Sequence, residues 1–191
     1  MKHAILIMAA GLSARFRQAG QGHKLTAMLR GKPLLQHTLA HATATGLDVF
    51  VMTRPEDHAI HALLPPSCLL TCCSGGLGDS IAAAVGAVPD YDGWLIALGD
   101  MPLIAPASYL AVSEALRAAP VARAVVDGEA AHPVGFDRSC YAQLRDLRGE
   151  TGARALLRNA ALRRVELQDS GCRWDVDTPG DLQAIAALAR L

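Results

Sequence analysis

The sequence predicts a doubly wound α/β domain, a three-layer α/β/α sandwich around a mostly parallel sheet. Three observations carry this. Short apolar runs of strand length alternate with amphipathic helical patterns, the order that builds a parallel sheet with helices on both faces. The first apolar run, Ala4-Ile5-Leu6-Ile7, opens directly into a small-residue loop within Met8–Phe16 (MAAGLSARF). Finally, 191 residues with 51% hydrophobic and 19% charged side chains suffice for one sizeable core and are too few for two ordinary domains. The whole chain, 1–191, is therefore expected to be one domain.

Element by element, strands are expected at Ala4–Met8, Asp48–Thr53, Leu69–Thr71, Trp94–Leu98 and Arg123–Val126, and then at Pro133–Phe136 and Arg164–Leu167. Helices fit Pro33–Thr45, Glu56–Leu64, Ser80–Val88, Pro106–Ala118, Ser139–Leu147, Ala153–Asn159 and Pro179–Leu191. Proline at the start of several of these suits the first helical turn, and Gly46 falls where a left-handed cap is expected. Pro65-Pro66 and the region of Gly149 read as loops. In such sheets ligands collect at the carboxyl ends of strands. Both Met8–Phe16 and the Leu98–Pro102 segment (LGDMP) directly follow a strand and so fall there.

Bulk charge narrows the function. Lys plus Arg equals Asp plus Glu, 18 each, which argues against a nucleic-acid partner while allowing a local basic pocket for a small polyanion. No apolar stretch reaches membrane-spanning length, and the start of the chain runs into a strand, so a cytoplasmic, non-membrane protein is expected. The five cysteines, Cys68, Cys72, Cys73, Cys140 and Cys172, form no Cys-x-x-Cys pair and read as reduced thiols packed on and beside a strand. His37 and His41 share a helical face, but with no acidic third ligand they read as surface histidines.

The first loop has the chemistry of a phosphate site. Backbone N–H groups of Ala9, Ala10, Gly11, Leu12 and Ser13 can meet an anion, and Arg15 adds a fixed charge matched to phosphate oxygens. Asp100, in a Gly-Asp-Met-Pro turn after an apolar strand, suits Mg²⁺, which takes one or two protein oxygens plus phosphates and waters. The alternative for Asp100 is a turn or cap aspartate. Asp175 and Asp177 alternate along an extended segment and are read as pointing to opposite sides, with Asp177 the one facing the metal. Against that stands a simple capping role for Asp177 or Thr178 at the helix opening with Pro179. Ser74–Ser80 is a second glycine-rich turn before an alanine-rich helix, and it lacks the Gly-x-Gly-x-x-Gly spacing of a dinucleotide fingerprint.

Five strings in order, MAAGLSARF, LGDMP, HPVGF at His132–Phe136, GETGAR at Gly149–Arg154 and WDVDTPGDL at Trp174–Leu182, resemble the MobA-like nucleotidyltransferase superfamily. The resemblance spans Ile5 to Ala187 and is nearest to the molybdenum cofactor cytidylyltransferase branch. It implies a Rossmann-like fold of the nucleotide-diphospho-sugar transferase type. It also implies Mg²⁺-dependent transfer of CMP from CTP to the terminal phosphate of molybdopterin, with pyrophosphate released. In these terms Arg15 and Lys24 are phosphate cations, Asp100 and Asp177 hold the metal, Gly78 and Ser80 approach base and sugar, and His132 and Arg154 flank the acceptor. A molybdoenzyme or its chaperone is a candidate partner for the product. Ala10, where guanylyl relatives carry glycine, would narrow the base pocket toward a pyrimidine. The chain departs from the pattern by inserting Arg17–His23 before Lys24, so the loop must bulge, with Gly20 or Gly22 turning it. The alternatives are a relative using GTP or another phosphorylated acceptor such as a sugar phosphate, or a non-catalytic nucleotide- or cofactor-binding module.

Overall fold

The computed structural model describes residues 1–18, 20, 22–159 and 161–188. In chain order the strands are β1 (His3–Met8), β2 (Met28–Leu29), β3 (Lys32–Pro33), β4 (Asp48–Thr53), β5 (Leu69–Thr71), β6 (Gly93–Leu98), β7 (Val121–Val126), β8 (Glu129–Asp137) and β9 (Leu162–Glu166). The helices are α1 (Ala14–Gln18), α2 (Leu34–Thr43), α3 (His58–His61), α4 (Leu77–Ala87), α5 (Pro106–Ala115), α6 (Tyr141–Arg145), α7 (Arg154–Asn159) and α8 (Pro179–Ala187). Seven strands form one mixed sheet in the order β5-β4-β1-β6-β8-β7-β9. All neighbours are parallel except β8, which runs against both β6 and β7. The molecule is thus a three-layer α/β/α sandwich with a mostly parallel, Rossmann-like sheet, as the sequence predicts.

The centre of the sheet is apolar on both faces, which is why β1 reads as a continuous hydrophobic run rather than an alternation. Ile5 and Ile7 point into one core layer with Phe16, Leu34, Leu35, Tyr109, Val112 and Ile185. Ala4, Leu6 and Met8 point into the other, with Ile81, Val85, Trp94, Phe136 and Leu144. Helices α2, α5 and α8 therefore cover one face, and α4 and α6 the other.

The expected β4 and β5 are found with the same bounds, and Gly46 takes the left-handed cap expected of it, at φ +77°. Differences concentrate at turns. The strand expected at Pro133–Phe136 extends over nine residues, because Asp127 (φ +52°) and Gly128 (φ +78°) form a two-residue turn that zips it onto β7 as a hairpin. The same device, Arg30 (φ +48°) and Gly31 (φ +81°), makes the small β2–β3 hairpin, where the sequence reading placed no strand. The helix expected at Glu56–Leu64 shrinks to α3, since the residue before a proline disfavours helical backbone and Pro65-Pro66 follow. The end of the helix expected to reach Leu191 lies outside the described residues beyond Leu188. His37 and His41 are half-buried rather than surface groups, and His37 Nε2 lies 2.8 Å from the Leu29 carbonyl, tying α2 to the small hairpin. All five cysteines are free thiols; three are buried, Cys72 is half-buried and Cys73 is exposed. No helix among the described residues is long and apolar enough to cross a membrane.

Candidate active site

The first loop leaves β1 at the carboxyl edge of the sheet. Ala9 is tied back, donating its N–H to the Met52 carbonyl at 2.8 Å, so it is not the anion donor the sequence suggests. The N–H groups of Ala10, Gly11, Leu12 and Ser13 find no acceptor among the described residues. Ser13 sits at φ +51°, a left-handed conformation unusual for a residue with a Cβ, and hands the chain to the one-turn helix α1, anchored by fully buried Phe16. The inserted segment then turns where glycine permits, at Gly20 (φ +74°) and Gly22 (φ +72°). His23 fastens it. Its Nδ1 accepts from the Leu25 N–H at 3.2 Å, and with the proton on Nε2 it donates to the Gly11 carbonyl at 3.2 Å. Burial lowers the His23 pKa, which keeps this neutral form at pH 7. The insertion therefore delivers Lys24 to the site instead of displacing it.

Lys24 lies in an acidic corner. Its Nζ is 2.5 Å from Asp100 Oδ2 and 2.9 Å from Asp177 Oδ1, while Arg15 reaches the other oxygen of Asp177 at 2.5 Å. Burial pulls the Lys24 pKa down, but the two carboxylates outweigh it and hold the ammonium above its ordinary value. Local structure explains the meeting of motifs 77 residues apart. Asp100 follows β6, and its own carbonyl accepts the Val176 N–H at 3.0 Å, which fixes the second acidic segment beside it. Thr178 caps α8 in a capping box with Asp181, whose carboxylate also takes the Asp177 N–H at 3.0 Å. The capping work is done without the Asp177 side chain, which is left for Lys24 and Arg15.

One expectation is corrected here. Residues two apart on an extended segment share a face, so the spacing of Asp175 and Asp177 does not set them on opposite sides. Burial and the negative charges of Asp100 and Asp177 push the Asp175 carboxyl above the usual range. Among the described residues no three His, Cys, Asp or Glu side chains form a ready metal cage. The corner nevertheless suits a hard divalent cation that takes few protein ligands, because Asp100 Oδ1 is buried without a partner and Asp177 stands beside it.

Two cavities meet at this edge. The first, about 330 Å³, is walled by the first loop, Lys24, Arg54, the Ser74–Leu77 turn and Asp100. Ser80 lines it, its hydroxyl 2.7 Å from that of Ser74. Gly78 does not. Its N–H is donated to the Gly149 carbonyl at 2.8 Å, and a Cβ there would lie 2.8 Å from the Arg148 carbonyl oxygen, so Gly78 serves close packing. Arg54 is a residue the sequence reading missed. From the end of β4 it donates to the Ala10 carbonyl at 2.9 Å and to the Ser74 carbonyl at 2.6 Å, clamping the two loops of the cavity together. An arginine directly after a strand at the carboxyl edge was the available signal.

The second cavity, about 460 Å³, is lined by both His132 and Arg154, together with Arg123 and Arg158. Burial drives the His132 imidazole down to about 4, so it is neutral at pH 7. Leu77, Leu98 and Glu150 line both cavities, which makes them one continuous groove with two ends.

With this geometry in place, comparison with known proteins is specific at family level. A family model described as "MobA-like NTP transferase domain" matches residues 5–167. Purine catabolism protein PucB of Bacillus subtilis is 28% identical, over 94% of each chain. Bifunctional protein GlmU of Kineococcus radiotolerans is 32% identical over 78% of this chain, which spans 31% of that protein's length. Rv0371c of Mycobacterium tuberculosis in complex with manganese shares the fold with a TM-score of 0.81 at 22% identity, covering 98% of this chain and all of that one. Molybdopterin-guanine dinucleotide biosynthesis protein A of Archaeoglobus fulgidus gives a TM-score of 0.70 at 18% identity, covering 96% of this chain and 97% of that one. From β1 through β9, this chain belongs to the MobA-like NTP transferase domain family.

Proposed function

We propose that this protein transfers a nucleotidyl group from a nucleoside triphosphate to a phosphorylated acceptor, releasing pyrophosphate, and that CTP and a molybdopterin-type acceptor are the specific pair. The observation that carries the reading is the acidic corner. Two carboxylates, one with a buried oxygen that has no partner among the described residues, share a lysine at the mouth of a cavity walled by four amides whose N–H groups have no acceptor among those residues. In this reading the triphosphate occupies the first cavity, with the amides of residues 10–13 and Lys24 against its oxygens, and Arg15 reaches it from the adjoining cleft that Ser13, Lys24 and Asp177 line. Asp100 and Asp177 would hold Mg²⁺, which when bound supplies charge neutralisation on the leaving pyrophosphate. An oxygen of the acceptor phosphate attacks the α-phosphorus, and the bond from that phosphorus to the pyrophosphate oxygen breaks. No general base is required, since a phosphate monoester has lost its second proton near neutral pH. The protein's task is alignment and electrostatics.

Ala10 supports a pyrimidine. The fold is also that of a CMP:2-keto-3-deoxy-manno-octonic acid synthetase complexed with CTP, with a TM-score of 0.76 and 20% identity, and the spread of relatives favours a second reading in which the acceptor is another phosphorylated small molecule. Pyrophosphate release with Mg²⁺, CTP and candidate phosphorylated acceptors, followed by the mass of the product, tests both. Asp100→Asn is expected to lower the rate at least about 10³-fold with the fold intact. Normal turnover in a folded variant overturns the assignment of the corner.

A further inference from the structure

We propose that the second cavity grips an anionic group of the acceptor other than the phosphate that attacks, and that Arg123 and Arg158 act with Arg154 as the specificity-determining residues for it. This rests on the nucleotidyl-transfer reading above and extends it to the class of acceptor.

The two ends of the groove differ in how their cations are matched. Lys24 and Arg15 face Asp100 and Asp177. Arg123, Arg154 and Arg158 converge on the second cavity, and none of them forms an ion pair with a carboxylate among the described residues. Arg123 spends its Nε–H on the Ala131 carbonyl at 3.2 Å, which aims the rest of the guanidinium while leaving its charge unmatched. Arg154 and Arg158 are exposed at the rim, while Arg123 is half-buried, and burial together with the charge of Arg154 pulls the Arg123 pKa down. A multiply charged anion is the ligand that would offset these charges. A second observation points the same way. The neutral His132 lines this cavity with its Nδ1 buried and without a partner. Beside them, Ile96, Val134, Phe136 and Leu157 line the same cavity, Val134 as the direct cross-strand partner of Arg123, and offer an apolar surface suited to a flat or hydrocarbon body.

The attacking phosphate is poorly suited to be that anion. Its oxygen must come within about 3–3.5 Å of the α-phosphorus, which puts it at the boundary formed by Leu77, Leu98 and Glu150, and none of the three arginines lines the first cavity. Three guanidiniums on the nucleophile would also withdraw the charge that makes it nucleophilic. An acceptor with an apolar body and two separated anionic groups satisfies both ends of the groove.

The test is calorimetric binding of two probes, phenyl phosphate and 4-carboxyphenyl phosphate, to the full chain and to Arg123→Gln and Arg158→Gln. Thermal stabilisation by Mg²⁺ and CTP is measured on each protein as a check on the first cavity. The doubly anionic probe is expected to bind the wild type at least tenfold more tightly. In either variant that ratio should fall below threefold, with phenyl phosphate binding and the CTP effect kept. Equal or undetectable binding of the two probes by the wild type, or an unchanged ratio in both variants, overturns the proposal. Discrimination between probes in a wild type that Mg²⁺ and CTP fail to stabilise would keep the anion site and remove the nucleotidyl-transfer reading instead.

Discussion

The two ends of the groove share a sheet edge and are built by opposite means. The first is mostly backbone: unpaired amides of residues 10–13 and a glycine-rich turn, held in place by Arg54 and His23. The second is mostly side chain, with three arginines and a histidine against an apolar wall. Backbone recognition suits a ligand part that never changes, the triphosphate. Side chains can be exchanged without disturbing a turn, which suits the acceptor, the part that varies among relatives of one fold.

Each end also holds one histidine that burial keeps neutral, and acid should separate them. Burial sets the folded pKa of His132 at about 4, below the ordinary 6.5. Between those values the unfolded chain binds the extra proton, so stability falls as pH drops from 6.5, and the loss, up to about 3 kcal/mol, is complete below pH 4. Denaturant midpoints from pH 7 to 4 should therefore flatten in His132→Gln, leaving the weaker dependence that includes His23. An unchanged slope would remove His132 as the main buried acid-sensitive group. A smaller effect is expected at the first end. Arg54→Ala should raise the KM for CTP about tenfold, about 1.4 kcal/mol of lost positioning, with probe binding in the second cavity unchanged. Lysine should recover little, because one ammonium lacks the fork that reaches both carbonyls. Unchanged KM in a folded Arg54→Ala protein would show that the clamp does not set the cavity.

The same contrast decides what is legible in the sequence. The first end is contiguous, so the order of residues alone puts MAAGLSARF and LGDMP at strand ends. The bulge through Gly20 and Gly22 is readable because only glycine takes that backbone at no steric cost. Arg54, Arg123 and Arg158 stand in strands or helices, or just after them, with no motif around them, and only the folded chain brings Arg54 to the first cavity and Arg123 and Arg158 to the second. The spacing of Asp175 and Asp177 is misread as an alternation, since two residues along an extended chain return to the same face. The β7–β8 hairpin depends on Asp127-Gly128, a turn signal present in the sequence but outweighed by the expectation of parallel strands.

Thermal unfolding with Mg²⁺ and each of CTP, GTP, ATP and UTP shows whether the backbone-built cavity is the nucleotide site. A nucleotide at a hundred times its dissociation constant stabilises by roughly 2.7 kcal/mol, a midpoint rise of about 5–10 °C for a chain of this size. That rise is expected for CTP, dependent on Mg²⁺ and lost in Asp100→Asn. A GTP-selective rise would contradict the choice of base, and no rise with any nucleotide would contradict the site itself.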